Sequence, residues 1–392
     1  MTLRVAISGG SIGGITAALV LADAGHDVHV YERSPSRLEG RGAGIVLHEA
    51  TLRFLVERRG TPVEQLSEGA SRLQYLTPDG ALQYEEPSSE RFTSWNALHG
   101  SLLDNLDPDR YHLGERVVGF TQDGDGVAVV LDGGRTVECD LFVCAEGISS
   151  STRDLLLPGV EPAYSGYVGW RGTVDAERLS AASRALLHDT ITYAVPPYNQ
   201  ALIYPIPQGH GDGRARSLLN WLWYRNVEEG PELDELMTDR SGEVRRLSLG
   251  PGTVRPAAVD ELRASAKGTL PPPLAEAIEI TEDPFVQVIV DVEVPQMAFG
   301  RVCVMGDAAF AARPHAAAGT AKAAEDGWAL AAALTAAGDD VVSALEAWEP
   351  GQLALGRFVV GRSRAMGERS QVTSTWQPED RTLRFGLRGA GK

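Results

Sequence analysis

The sequence predicts an α/β fold: a Rossmann-like dinucleotide-binding domain that carries an inserted mixed β-sheet domain and ends in a helical region. Three observations predict it. Val5-Ala-Ile-Ser-Gly9-Gly10-Ser11-Ile12-Gly13-Gly14 reads as an apolar strand, a glycine turn and a helix start, the sequence form of a dinucleotide-phosphate site. Near the other end of the chain, the apolar run 302–305 ends in Gly306-Asp307-Ala308-Ala309 and leads through Arg313-Pro-His-Ala-Ala-Ala-Gly319 into an Ala-rich helix. Between about 160 and 295 the pattern changes to alternating strands rich in Tyr, Trp and Val, which indicates a sheet with one buried face. Either glycine motif alone is weak; together, at opposite ends, they imply one large dinucleotide held by segments distant in sequence.

In chain order, residues 3–7 form a strand, 11–24 a helix and 28–31 a second strand ending at Glu32, because Gly25-His-Asp27 stops the helix and β-branched residues resume. This is a βαβ unit. Gly9 permits the tight turn and Gly14 lets helix and strand pack closely, while the helix start at Ser11-Ile12 offers N–H groups and a partial positive charge to a diphosphate. Ser11 stands where glycine is usual; it costs closeness and adds a hydroxyl donor. Glu32 is placed to accept hydrogen bonds from a ribose, and its charge disfavours a 2'-phosphate. The plainer alternative is a solvent-exposed pair with Arg33.

Residues 100–106 read as helix, and 119–122, 127–131 and 136–138 as hairpin strands joined by Asp-Gly turns. Residues 140–144 form an apolar strand ending in Ala145-Glu146-Gly147. The run 73–82 alternates like the middle region, so the sheet domain is expected to consist of insertions, 73–95 and 161–295. The dinucleotide domain then comprises 1–72, 96–160 and 296–370 with the C-terminal helices, and 371–392 is a partly ordered tail. Prolines at 256 and 271–273 mark loop or helix boundaries. Asp307, at a strand end, is suited to accept a hydrogen bond from a polyol such as the ribityl chain of FAD. A helix over 321–336 aims unpaired N–H groups and a positive dipole end at whatever lies over the loop, which suits a flavin ring that gains negative charge on reduction. The bland alternative is an Ala-rich core helix.

Across 392 residues, 43% hydrophobic and 23% charged content is that of a globular protein, and the length allows two domains with cores. A formal charge of −17 argues against nucleic acid or an anionic membrane as partner, since both attract basic surfaces. The expected ligand is small. Cys139, Cys144 and Cys303 lie in apolar runs without metal-ligand spacing, so they read as core residues in a reducing cytoplasm, and no metal is expected. Met1 almost adjoins the first strand, leaving no room for a signal peptide, and no apolar run has the length of a membrane span. A cytoplasmic protein is expected, with a homodimer the commonest assembly.

These residues resemble the single-component FAD-dependent aromatic hydroxylases with the fold of para-hydroxybenzoate hydroxylase. The resemblance covers nearly the whole chain. It rests on the N-terminal glycine loop, Glu32-Arg33, Cys144-Ala-Glu146-Gly147-Ile-Ser-Ser150-Ser-Thr-Arg153 and Gly306-Asp307. Tyr31-Glu-Arg-Ser-Pro35, Gly230-Pro-Glu-Leu-Asp-Glu-Leu-Met-Thr-Asp239 and Arg313-Pro-His-Ala-Ala-Ala-Gly319 look like the dihydroxypyridine hydroxylases within that group. The chain departs from the family pattern at Glu146 (usually Asp), Trp95 (commonly Arg), Phe310 (commonly His), Ala317 (often Gly) and Ala321 (often Asn). Gly319 is then the position expected to bring backbone close to the flavin. Gly42-Ala-Gly44-Ile45 resembles the loop beside the ring, with Arg41 or Val46 reaching the cofactor.

The resemblance implies that NADH or NADPH reduces the flavin, O2 adds at flavin C4a to give a hydroperoxide, and one oxygen passes to an electron-rich aromatic or N-heteroaromatic ring, dihydroxypyridine-like. NADH has a slight edge through the closer likeness. The protein must hold the ring, exclude water and favour a phenolate-like substrate. Pocket candidates are Tyr193, Tyr204, Trp221 and Tyr224 from the sheet covering the flavin, and Pro314 and His315 from the loop after Asp307. For any one Tyr or Trp, plain sheet packing is the simpler reading. His315 is either an acid-base or hydrogen-bonding group or a solvated loop residue, and His48 is a weaker candidate. Rival functions are a nicotinamide dehydrogenase, which the first loop alone would allow, a flavin-dependent halogenase or reductase, faintly echoed by Trp221-Leu-Trp223, and a non-catalytic flavin-binding protein.

Overall fold

Strand Arg4–Ser8, the turn at Gly9 and helix Ile12–Asp23 open the chain as their composition dictates, and strand Asp27–Glu32 pairs in parallel beside the first. The computed structural model describes residues 2–38, 44–207, 217–338 and 340–392. Six strands form the first sheet in the order Ala298–Phe299, Val302–Val304, Leu141–Cys144, Arg4–Ser8, Asp27–Glu32 and Tyr111–Leu113. All its pairs are parallel except the outermost, Ala298–Phe299 with Val302–Val304. Parallel pairing brings Gly9, Ala145 and Gly306 to one edge, at the carboxyl ends of adjacent strands, where ligands of open α/β sheets bind. Helices Ile12–Asp23 and Gly319–Ala336 cross there at close range. A Cβ on Gly13 would lie 3.0 Å from that of Ala323, and one on Gly327 3.0 Å from the Ala17 Cα.

The second sheet has eight strands in the order Ser248–Leu249, Phe285–Asp291, Ala163–Asp175, Ser217–Asn226, Gln200–Pro207, Thr190–Ala194, Arg72–Leu76 and Leu82–Pro87. It is antiparallel except where Thr190–Ala194 meets Arg72–Leu76. Successive side chains alternate faces. Trp170, Ile203, Trp221 and Trp223 face one way and pack on helices Pro256–Thr269 and Pro272–Ile280. Leu202, Tyr204, Leu222 and Tyr224 face the other way, toward Ala316, Ala318 and Ala321, helix Val341–Gly367 and the chain end. Pro256 and Pro272 each occupy a first helical turn, where a missing N–H costs nothing.

Several boundaries differ from the sequence reading. The helix expected at 100–106 is Trp95–Leu103, started by Ser94, whose Oγ accepts the Ala97 N–H. The helix expected from 321 starts at Gly319. Residues 371–392, expected as a partly ordered tail, pack against the fold. Trp376, Leu383, Phe385 and Leu387 are buried, and the Trp376 indole donates to the Tyr75 hydroxyl at 3.2 Å. The arginines that make the segment look solvated are clamps: Arg384 pairs with Glu86 and Arg388 with Glu325. From the long helix, Arg362 donates to the carbonyls of Thr382, Arg384 and Gly386.

The three cysteines are free and buried. Among the described residues, no helix is long and apolar enough to cross a membrane.

Candidate active site

The nucleotide end is built around the first turn. Gly9 has φ +108°, and a Cβ there would sit 2.2 Å from the Ala145 carbonyl oxygen; a Cβ on Gly14 would sit 1.9 Å from the Gly9 oxygen. Both positions therefore require glycine. Ser11 caps helix Ile12–Asp23 without a side-chain cap bond, so its hydroxyl is not spent on the helix. Glu32 is buried; one carboxylate oxygen accepts the Gly10 N–H and the other the Ser34 N–H, both at 2.8 Å. It stabilises the glycine loop and retains lone pairs toward a cavity of about 410 Å3 lined also by Ser11, Tyr31, Arg33 and Arg116. Arg33 is exposed at that wall rather than ion-paired with Glu32.

Glu146 lines the same cavity, but its carboxylate is turned back on the protein. It accepts from Ser8 Oγ at 2.7 Å, Ser150 Oγ at 2.8 Å, Thr152 Oγ1 at 2.8 Å and the Thr152 N–H at 3.0 Å. The extra methylene relative to Asp lets it tie the first strand to helix Ser151–Leu156, so it acts through the turn at Gly147 instead of reaching toward a ligand.

Asp307 faces the cleft, open to solvent, although protein mass on every other side raises its carboxyl pKa; buried Lys322 opposes the rise and Asp326 adds to it. Asp326 Oδ2 receives Lys322 Nζ at 2.7 Å and the Gly306 N–H at 2.8 Å, which fixes the Gly306 turn from behind. Lys322 also lies over the Phe310 ring, so the Phe in place of the family's His seats this cation. Nothing in the sequence reading singled out Lys322 or Asp326; their i, i+4 spacing on one helix face was the available signal. After the turn, Ala317 adopts a left-handed φ of +54°, which costs a non-glycine residue about 1 kcal/mol. His48 donates from Nε2 to the Ala317 carbonyl at 2.9 Å and holds that conformation.

A second cavity, about 330 Å3, continues the first and shares Ser11, Gly147, Asp307 and Pro314 with it. Its walls include Ile12, Gly44, Val46, Trp95, Gly306 and Gly319 on one side and Arg171, Gln200, Leu202, Tyr204, Leu222 and Tyr224 on the sheet, with Phe385 from the chain end. His315 is its best-defined polar group. Burial and nearby Arg313 lower its pKa to about 3, so the ring is neutral. Nδ1 lies 2.9 Å from Gln200 Oε1, which can only accept; Nδ1 therefore carries the proton, and Nε2 accepts from the Tyr167 hydroxyl at 2.9 Å. Tyr224 packs on the ring at 4.2 Å. His315 is therefore a buried hydrogen-bonding group rather than a solvated loop residue. Burial pushes Tyr204 up to about 12 and Tyr224 higher still, so both phenols remain protonated.

Two pocket expectations fail for structural reasons. Trp221 lies three residues from Tyr224 on one strand, so the pleat sends it to the opposite face, where its indole donates to Thr281 Oγ1 at 2.9 Å. Tyr193 is on the correct face but stacks on Tyr75 at 4.9 Å behind Trp376 and Phe385, outside the cavity lining. Tyr204, Tyr224, Pro314 and His315 do line it. Arg41 lies outside the described residues. Arg171, Gln200 and Phe385 went unnoticed in sequence because no motif marks them; Gln200 follows from pleat parity with Tyr204.

The FAD binding domain-like family matches residues 164–291. Over 387 residues the chain is 37% identical to a 2,6-dihydroxypyridine 3-monooxygenase from Paenarthrobacter nicotinovorans, covering 98% of this chain and 96% of that protein. It is 30% identical to a 3-amino-4-hydroxybenzoate 2-monooxygenase from Streptomyces platensis, covering 93% and 87%. Among solved structures, 2,6-dihydroxypyridine-3-hydroxylase from Arthrobacter nicotinovorans superposes with a TM-score of 0.94 at 36% identity, covering 100% of this chain and 98% of that one. The site fits FAD: a glycine cradle that any Cβ would obstruct, a carboxylate at the ribose position, Asp307 midway, and a joined second cavity under a helix N-terminus. The dehydrogenase and halogenase readings give way to these matches. The chain belongs to the single-component FAD-dependent aromatic hydroxylases.

Proposed function

We propose that this monooxygenase hydroxylates an electron-rich N-heteroaromatic ring of the dihydroxypyridine type, with NADH or NADPH and O2. The carrying observation is the buried, uncharged His315 with Gln200 and two protonated tyrosines around a cavity continuous with the cofactor trough. When bound, FAD supplies hydride acceptance and oxygen activation. The N–H groups at Ser11-Ile12 and the Ser11 hydroxyl would hold its diphosphate, Glu32 a ribose hydroxyl, Asp307 the ribityl chain, and the backbone from Gly319 the flavin edge.

Toward the ring substrate, Tyr224 and Leu222 offer a flat apolar wall, and Tyr204 a hydroxyl donor. His315 ties up the Gln200 oxygen, which turns the Gln200 amide N–H groups toward the cavity as donors for a ring oxygen. Phe385 and the packed chain end exclude water from the reacting side. Trp95 stacks on His99 at 4.3 Å and gives a non-polar boundary where relatives commonly have a cation. Overall, one ring hydrogen is replaced by hydroxyl, the nicotinamide is oxidised, and the second oxygen atom leaves as water.

The test is NADH and NADPH oxidation by the yellow holoenzyme against dihydroxypyridines, phenols and hydroxyquinolines, with products weighed by mass spectrometry. A dihydroxypyridine is expected to accelerate oxidation and yield a product one oxygen heavier. Acceleration by phenols alone would contradict the substrate class.

A further inference from the structure

Arg171 is the only charged residue among the described sheet residues lining the second cavity. It is 8% exposed, its Nε has no hydrogen-bond partner, and among the described residues it enters no hydrogen bond or ion pair. Other enclosed arginines differ: Arg153 donates to the Ile148 carbonyl and pairs with Asp154, and Arg313 pairs with Asp291. An enclosed guanidinium without a counter-charge is costly, so a purely structural arginine is expected to be paired.

The surroundings are rich in donors and poor in acceptors. Arg171 sits opposite Leu222, one pleat step from Asn220, which lies opposite Tyr204. Asn220 is fully buried; its Oδ1 accepts the Gly44 N–H at 2.8 Å, and its Nδ2 has no partner. Among the described residues Asp307 is the sole carboxylate lining this cavity, and the charges acting on it are Lys322 and Asp326, whereas Arg171 acts on Tyr204 and Tyr224. Among the described residues the sheet face thus lacks an anionic oxygen, and a ligand can bring one.

We propose that Arg171, aided by Asn220 and the Tyr204 hydroxyl, is the charge-selecting residue of the pocket: it holds the substrate by a negatively charged oxygen, so planar aromatic anions are taken in preference to neutral rings of the same shape. The proposal rests on the hydroxylase reading above and narrows its substrate class. A ring oxyanion and a ring carboxylate present the same chemistry to a guanidinium fork.

Non-reacting probes test it without turnover. Perturbation of the flavin absorption in the holoenzyme gives dissociation constants for benzoate against benzamide, and for 4-nitrophenolate against nitrobenzene at a pH where the phenol is ionised. Wild type is expected to bind the anion of at least one pair about tenfold tighter or more, and that pair identifies the oxygen type. In Arg171→Gln the ratio is expected to fall to about one, with flavin content and melting temperature retained. If the Gln variant does not fold, Arg171→Lys decides: it keeps the charge, loses the fork and is expected to lower the ratio severalfold. Equal binding of anion and neutral ring by wild type, or an undiminished ratio in the variants, overturns the proposal. Loss of flavin from both variants also overturns it, by assigning the guanidinium to the cofactor. Anion preference in an enzyme that oxidises no ring would remove the hydroxylase reading while leaving the charge selection standing.

Discussion

Asp307 and His315, eight positions apart on one loop, have different surroundings and are proposed to perform different tasks. Asp307 projects into the trough over the Lys322–Asp326 pair. Asp307→Ala is expected to purify with little flavin and to regain it only at high FAD concentration; retained stoichiometric flavin would show that another group holds the ribityl chain. His315 is saturated with hydrogen bonds, so His315→Gln should keep flavin yet lower substrate-coupled turnover about tenfold through misplacement of Gln200, while unchanged coupling would remove it from the site. The depressed His315 pKa also has a stability sign. The unfolded chain takes up the proton below about 6.5 and the folded chain only near 3, so the contribution is intact above the unfolded value and is lost as pH falls through that window. His48, depressed by burial, acts in the same direction. Melting temperatures of wild type should therefore fall more steeply than those of His315→Gln between about pH 7 and about pH 4. Sequence made Asp307 and Gly9 legible because short motifs impose their geometry. Lys322, Gln200 and Arg171 were not legible, because their importance comes from burial and absent partners, which only the assembled sheet reveals.

At the scale of elements, the pleat decides which aromatic residues belong to the site. Tyr224 and Trp221 were nominated together for their chemistry, yet an odd separation on one strand puts them on opposite faces. Trp221→Phe is expected to cost about 2 kcal/mol of stability through the lost Thr281 bond and a packing void, with KM for the ring substrate unchanged. Tyr204→Phe, which removes the hydroxyl donor from the cavity face, is expected to raise that KM with stability retained, and denaturant melts and steady-state kinetics on the two variants will separate the cases. The chain end carries a related lesson. Its charged, glycine-bearing composition suggests a tail, but Arg384, Arg388 and Arg362 each find partners across elements, and Trp376 and Phe385 complete the core beside the cavity. Truncation after Val372 is expected to uncouple the enzyme, raising peroxide release per nicotinamide oxidised; unchanged coupling would show that the segment does not seal the site.

Across the whole molecule, parallel pairing gathers Gly9, Ala145 and Gly306 at one sheet edge, and the second sheet closes over it with a face set by strand parity. That architecture was legible from the two glycine motifs and the alternating middle region, since each encodes backbone geometry directly. The central claim is that this trough couples a reduced flavin, O2 and a ring bound under Arg171 and His315. The most direct test is turnover of the holoenzyme under isotopically labelled O2 with the ring compound that best stimulates NADH or NADPH oxidation. The account predicts one nicotinamide oxidised and one O2 consumed per product, with a single labelled oxygen atom in the ring. Stimulated oxidation that yields only peroxide, or a product whose new oxygen comes from water, would contradict it.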